Sequence, residues 1–269
     1  MISHTIGFLG AGNMAEAIVQ GLLHKKLLPA DKLTVADPSD GRRDLFIRRF
    51  AVHATADNAA VLAACDVVVL AVKPQMMAAV LEPLRALWRT DHVVISIAAG
   101  IRTAKLDAMC GGVPAIVRIM PNTPALVGRG VSAICSGPRA GAAQLALAEN
   151  IFAATGDVLR VDEERMDAVT AISGSGPAYV FYWMEAMLKA AREHGFDDST
   201  ARSLVYGTLA GAAELAKSSA DAPDILRARV TSKGGTTEAA IRLLDERNVG
   251  TALVDAVHAA ARRSKELSA

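Results

Sequence analysis

The residues with chemistry to offer stand in two glycine-rich turns, one early and one late in the chain. The early one follows the apolar run Ile6-Gly7-Phe8-Leu9, places Gly10, Gly12 and Ala15 as G-x-G-x-x-A, and opens a helical pattern from Asn13 to Leu23. Strand, glycine turn and helix in that spacing form a cradle for a dinucleotide pyrophosphate. Gly10 permits the sharp turn, Gly12 lets a phosphate reach the backbone, and Ala15 lets helix and strand pack closely. The free N–H groups and positive dipole end of the helix then face the phosphates. The late turn is Lys233-Gly-Gly-Thr-Thr237, within Val230–Glu238 and ahead of a helix over Ala239–Leu244. Gly234 and Gly235 free the backbone, Thr236 or Thr237 is the expected N-cap, and successive unpaired N–H groups suit a substrate carboxylate.

A second strand, Leu33 to Asp37, puts Asp37 where such a fold meets the adenosine ribose. A carboxylate there accepts from a free 2′-hydroxyl and favours NAD. Ser39, Arg42 and Arg43 bind a 2′-phosphate and favour NADP. Both kinds of group are present; the reading leans to NADP, with NAD the alternative. The chain offers no catalytic His/Asp pair and no metal cluster, and its six histidines are scattered. Hydride chemistry with so little acid–base help suits an imine better than a ketone, because an imine nitrogen can be protonated beforehand.

The elements that must position these turns alternate. Strand Asp66–Leu70 runs into Ala71-Val72-Lys73-Pro74, and a helix is expected over Gln75–Trp88. Strand His92–Ile97 leads to Ala98-Ala99-Gly100, helix Thr103–Met109 follows, and strand Ala115–Met120 leads to Pro121-Asn122-Thr123-Pro124. Continuous apolar runs bounded by turn residues indicate strands buried on both faces, hence a doubly wound parallel α/β sheet of Rossmann type. Lys73, Asn122 and Thr123 fall at its ligand-binding edge. Runs Gly130–Cys135 and Gly156–Val161, flanking helix Ala140–Ala154, extend the sheet. Beyond about Glu163 no strand is convincing. The turn Ser173–Pro177 starts a long helix, others cover about Ser199–Ser218 and the stretch after Pro223, and a last one begins at Val249. The expected domains are 1–162, dinucleotide-binding, and 163–269, helical. Alanine-rich helices with few aromatics make a thin core in one copy, so dimerisation through the second domain is expected.

Composition agrees. Of 269 residues, 52% are hydrophobic but only 4% aromatic, which gives an aliphatic core. With 29 basic and 28 acidic residues and no basic stripe, nucleic acid is not an expected partner. Cys65, Cys110 and Cys135 form neither a C-x-x-C pair nor a disulfide framework, which reads as a reducing compartment and three small core residues. Without a signal-peptide pattern or a long apolar segment, the expectation is a soluble, cytoplasmic protein with no membrane partner.

Three motifs together resemble the pyrroline-5-carboxylate reductase family: GFLGAGNMA at Gly7–Ala15, SGSGPAYVF at Ser173–Phe181, and VTSKGGTTEAAIRLLDE at Val230–Glu246. The loops AVKP and MPNTP add to the likeness, which spans nearly the whole chain, the GGTT segment being its most specific part. The resemblance implies reduction of 1-pyrroline-5-carboxylate to L-proline with NADPH or NADH, the last step of proline biosynthesis. It implies that Gly234, Gly235, Thr236 and Thr237 hold the substrate carboxylate, and that Thr237 meets the ring nitrogen region as the catalytic side chain. Ser175, in the SGSGP motif, joins the substrate set. Cofactor contacts carry over to Gly10, Ala11, Gly12, Asn13 and Met14, to Asp37, Ser39 and Arg42, and to Asn58. They extend to Ala71, Val72, Lys73 and Pro74, and to Ala98, Ala99 and Gly100, with Asn122 added from the MPNTP loop. The family forms interlocked homodimers through the helical domain, often gathered into decamers. One departure is Lys233, where the family loop commonly has proline. A β-hydroxyacid dehydrogenase, the nearest rival, needs a lysine early in the long helix; here the first is Lys189. The other rival is an NADP-binding regulator without turnover.

Overall fold

The all-valine and leucine run Val67–Leu70 is buried on both faces and lies near the centre of an eight-stranded sheet. The computed structural model describes residues 1–268. Its strands are β1 (Ile6–Leu9), β2 (Leu33–Ala36), β3 (His53–Thr55), β4 (Val67–Leu70), β5 (Val93–Ser96), β6 (Ala115–Met120), β7 (Gly130–Ser136) and β8 (Gly156–Arg160). They lie in the order β3-β2-β1-β4-β5-β6-β7-β8. β1 pairs in parallel with β2 on one side, Ile6 opposite Leu33, and with β4 on the other, Ile6 opposite Val67. This is the expected Rossmann arrangement, with the order reversing at β1, where open α/β sheets bind ligands.

Helices cover both faces: α1 (Asn13–His24), α2 (Asp40–Phe50), α3 (Asn58–Ala64), α4 (Met77–Leu81), α5 (Thr103–Met109), α6 (Ala142–Phe152) and α7 (Met166–Val169). Phe8, Ile18, Leu22, Phe46 and Phe152 fill one core, and Leu70, Met77, Leu81, Trp88 and Leu106 the other. Each such side chain, fully buried, contributes about 1.5–3 kcal/mol.

Three details depart from the sequence expectation. The sheet has an added edge strand, β3, too short and too weakly patterned to read. β7 runs antiparallel to β6, because the intervening segment 121–129 holds only a short 3-10 turn and no crossover helix that a parallel return would need. The helix expected over Gln75–Trp88 is broken into a 3-10 turn at Pro74–Met76, α4, and another 3-10 turn at Glu82–Leu84. Pro83 lacks an N–H and its ring collides with the preceding turn, so α4 stops at Leu81.

The remaining helices are α8 (Gly176–Glu193), α9 (Asp198–Ser218), α10 (Pro223–Arg229), α11 (Thr236–Glu246) and α12 (Val249–Ser268). Contacts divide the chain into one unit of Met1–Ser175 with the segment from Ala260 onward, and a second of Gly176–Ala259. Taken by itself, the second unit has little core: α8, α10 and α11 bury no residue, and α9 buries only Ala201 and Val205. Among the described residues no helix is long and apolar enough to cross a membrane.

Candidate functional site

The early turn is built as its spacing requires. Gly10 has φ +100°, where a side chain is strained, and a Cβ there would stand 2.7 Å from the Ala71 carbonyl oxygen. Gly12 is the N-cap of α1, extended, with no side chain capping the helix. A Cβ on Gly12 would meet no protein atom within 4 Å. The fold itself therefore does not demand glycine at 12; the open space fits a pyrophosphate laid against the first turn of α1. Asn13 is exposed beside this space, while Met14 is half-buried and packs against the core.

Asp37, Ser39 and Arg42 gather around the same turn, but as its braces. One Asp37 carboxylate oxygen accepts from the Ala11 N–H and the other from the Ser39 N–H, each at 2.9 Å. Ser39 Oγ in turn accepts from the Arg42 N–H and caps α2. Arg42 Nε donates to the Ala11 carbonyl at 2.5 Å, and its Nη2 pairs with Glu16 at 2.9 Å. Arg43 donates to the Asp37 carbonyl at 2.6 Å and pairs with Asp40. Carboxylate and guanidinium thus hold the backbone of Ala11 from both sides.

Other predicted residues follow the carboxyl ends of parallel strands. Asn58 is the first residue of α3, which Asp57 caps through the Ala59 N–H at 2.9 Å. Ala71 donates to the Leu9 carbonyl at 2.8 Å, tying the Ala71–Pro74 loop to β1, and Val72 packs against the second core. Lys73 is exposed and precedes the 3-10 turn that Pro74 opens. After β5, Ala98 is buried and donates to Ser96 Oγ at 3.3 Å, Ala99 is half-buried, and Gly100 takes φ +72°. Asn122 is buried, and its Oδ1 accepts from the Val131 N–H at 2.9 Å. That side chain braces the β6–β7 connection.

The late turn, in the second unit, is also shaped by its glycines. Gly234 has φ +72°, and Gly235 would carry its Cβ 2.5 Å from Ser232 Oγ. Gly235, rather than Thr236 or Thr237, is the N-cap of α11. The threonines are already helical, so their hydroxyls are not spent on capping, and no side chain covers the first-turn N–H groups. Glu238 reaches back from the first turn to accept from the Gly234 N–H at 2.7 Å, and Gly235 donates to the Ser232 carbonyl at 3.0 Å. Thr236 and Lys233 are exposed and Thr237 half-buried. Ser175, in the first unit, donates its N–H to the Thr170 carbonyl at 2.8 Å, closing a π-helical turn over Thr170–Gly174.

Sequence reading passed over a largely buried cluster within the first unit. Arg118, in the otherwise apolar β6, pairs with Glu163 at 3.3 Å. Glu163 also accepts from the Thr103 N–H and hydroxyl at 2.7 and 2.8 Å, capping α5. The lone charge within Ala-Ile-Val-Arg-Ile-Met was the available signal, since a buried guanidinium needs a partner. The three cysteines are buried, free thiols; burial raises all of them, Cys110 and Cys135 to about 12, so they stay protonated and inert.

Comparison with known proteins adds the following. Residues 163–267 match a family model for pyrroline-5-carboxylate reductase dimerisation, and residues 5–100 one for NADP oxidoreductase, coenzyme F420-dependent. The chain is 43% identical over 264 residues to pyrroline-5-carboxylate reductase of Haemophilus influenzae, covering 97% of each. It is 42% identical to that of Pseudomonas aeruginosa over 100% of this chain and 98% of the other. A solved pyrroline-5-carboxylate reductase from Coxiella burnetii superposes with TM-score 0.91 at 39% identity, covering 99% of both chains. A Plasmodium falciparum pyrroline carboxylate reductase with NADP bound does so with TM-score 0.91 at 30% identity over 100% of both.

Proposed function

We infer that the chain reduces 1-pyrroline-5-carboxylate to L-proline, the final step of proline biosynthesis, from the premise that it belongs to the pyrroline-5-carboxylate reductase family. It is an NADP-using oxidoreductase acting on a C=N bond, with NADH the alternative donor. The observation that carries the reading is a pair of helix starts: α1 and α11 both begin on a glycine N-cap that no side chain covers. One is suited to a pyrophosphate and the other to a carboxylate.

When bound, NADPH supplies the hydride that the imine carbon receives. The chain's own groups position the partners. Gly10–Met14 receives the pyrophosphate, and the Asp37–Arg42 loop, Asn58, Ala71–Pro74, Ala98–Gly100 and Asn122 border the rest of the cofactor. Because Asp37 and Arg42 already brace Ala11 and Ser39 Oγ caps α2, discrimination at the ribose rests on the hydrogen-bonding capacity that this bracing leaves over in the three side chains. In α11, the N–H groups of Thr236 and Thr237 lie where a substrate carboxylate gains from the helix start, the Gly234–Gly235 turn shaping the approach to them, with Ser175 assigned to the same substrate. Thr237, its hydroxyl unused for capping, accepts from the protonated ring nitrogen and keeps the ring oriented. Transfer to an iminium carbon leaves a neutral amine, so no side chain must deliver a proton during the step.

The second unit is an assembly surface, as the dimerisation match over 163–267 supports. A pentamer of dimers, a cytoplasmic location, and a functional division at 162/163 are part of the same proposal. The test is loss of NADPH absorbance with 1-pyrroline-5-carboxylate, run in parallel with NADH. Rapid oxidation, faster with NADPH, is expected. Binding of both cofactors with no consumption of either would reject the reductase reading and favour a regulator.

A further inference from the structure

We propose that the last turns of α12 form a strut that sets the Ala98–Gly100 turn, making Ser264 and Leu267 positioning residues for the cofactor. The proposal rests on the reading above that this turn borders NADPH. It starts from Gly100, which is buried at φ +72°: a Cβ there would stand 3.3 Å from both the Cβ and the carbonyl oxygen of Leu267. Leu267 itself is 57% exposed, so little of its apolar surface is removed from water by sitting there. Core packing is a weak reason for the contact.

Three residues earlier, on the same helix face, Ser264 is only 5% exposed and donates its hydroxyl to Asp167 at 2.7 Å. Asp167 lies in α7, four residues after Glu163. Glu163 holds the N–H and hydroxyl of Thr103, at the far side of the same turn, and is itself held by Arg118. The short segment 163–167 therefore grips the turn twice. Glu163 fixes where it enters α5, and Asp167 fixes the helix end that lies over Gly100. Within the turn, the Ala98 N–H to Ser96 Oγ bond at 3.3 Å is a weak hold by comparison. A glycine-containing turn left without its strut would have to be ordered when NADPH binds, and that ordering weakens affinity.

The experiment uses the full chain with Ser264→Ala, Leu267→Gly and Ser264→Thr, and adds Ala99→Asp to probe the turn itself. NADPH affinity is measured by fluorescence titration, KM separately for NADPH and the imine, and melting temperature for each variant. Ser264→Ala, which removes the hydroxyl bond, and Leu267→Gly, which removes the Cβ that stands against Gly100, should each weaken NADPH binding about fivefold or more, the scale of ordering one extra backbone residue. The loss should fall on the NADPH KM and not on the imine KM, and Ser264→Thr should restore affinity. Leu267→Gly, on an exposed helix end, keeps the test sound if Ser264→Ala folds poorly. If Ala99→Asp weakens NADPH while the strut variants bind like the parent, the strut is overturned and the turn's cofactor role stands. If Ala99→Asp also has no effect, both fall.

Discussion

Gly10 and Gly12, only two residues apart in sequence, separate folding from function. At Gly10 the protein itself forbids a side chain, through φ +100° and the Ala71 carbonyl. At Gly12 it does not, and only a ligand would. Gly10→Ala should therefore cost about 1–3 kcal/mol of stability. Gly12→Ala should cost less than about 1 kcal/mol, yet weaken NADPH about tenfold or more by disturbing a charge-assisted hydrogen bond. Thermal melts paired with NADPH titrations check both, and parent-like binding by Gly12→Ala would remove the cradle assignment. Thr237 carries the matching prediction for substrate. Thr237→Ala should lower kcat/KM for the imine by roughly 1–3 kcal/mol without a comparable loss of NADPH affinity. Thr237→Ser should keep much of the activity; a parent-like kcat/KM for the alanine variant rejects its role.

Elements are held by groups that take no part in chemistry, and one of these makes stability depend on pH. His92, just before β5, is fully buried; its Nδ1 accepts from the Arg89 N–H and its Nε2 faces the Leu62 carbonyl at 3.1 Å, tying β5 to α3. Burial, and then the nearby Arg89 charge, lower its pKa from the ordinary 6.5. The unfolded chain thus takes up the proton first as pH falls, so the stability held by neutral His92 is full above about 6.5 and lost below it. Melting temperature should drop between pH 7.5 and 5, and His92→Gln should flatten that part of the profile; an equally steep profile in the variant would assign the loss elsewhere. Such bracing is the part least legible in the sequence. Gly10-x-Gly12 and Lys233–Thr237 were readable because glycine spacing reports local backbone geometry, and β4 because an all-apolar run reports burial. The bonds of Asp37 and Arg42 to Ala11, or of Asp167 to Ser264, join residues 26, 31 and 97 apart. No local pattern encodes such partners. The direction of β7 is a different case: segment 121–129 is too short for the crossover of a parallel return, so its length, and not its residue types, carries the antiparallel direction.

At the scale of the molecule, the helical unit poses the problem that assembly solves. Phe181, Tyr182, Leu215, Leu243 and Val254 are all exposed in the single chain, and Tyr179, Trp183, Leu244 and Leu253 line an apolar cavity of about 340 Å³ in that unit. Large apolar side chains exposed along several helices of one unit mark an interaction surface where they adjoin, and all of these lie within the span that matches a dimerisation family. Covering this surface with the equivalent face of a second copy gives an isologous interface of the hydrophobic, obligate kind. If the unit's core is completed only in the dimer, stability is linked to protein concentration, and the melting temperature should rise as concentration increases. Sedimentation should show a dimer or a multiple of it. Leu253→Asp, placing a carboxylate in the apolar cavity, should shift the mass towards monomer and lower the melting temperature together. A monomer at all concentrations, melting at one temperature, would mean that the second unit is stable with those faces in water.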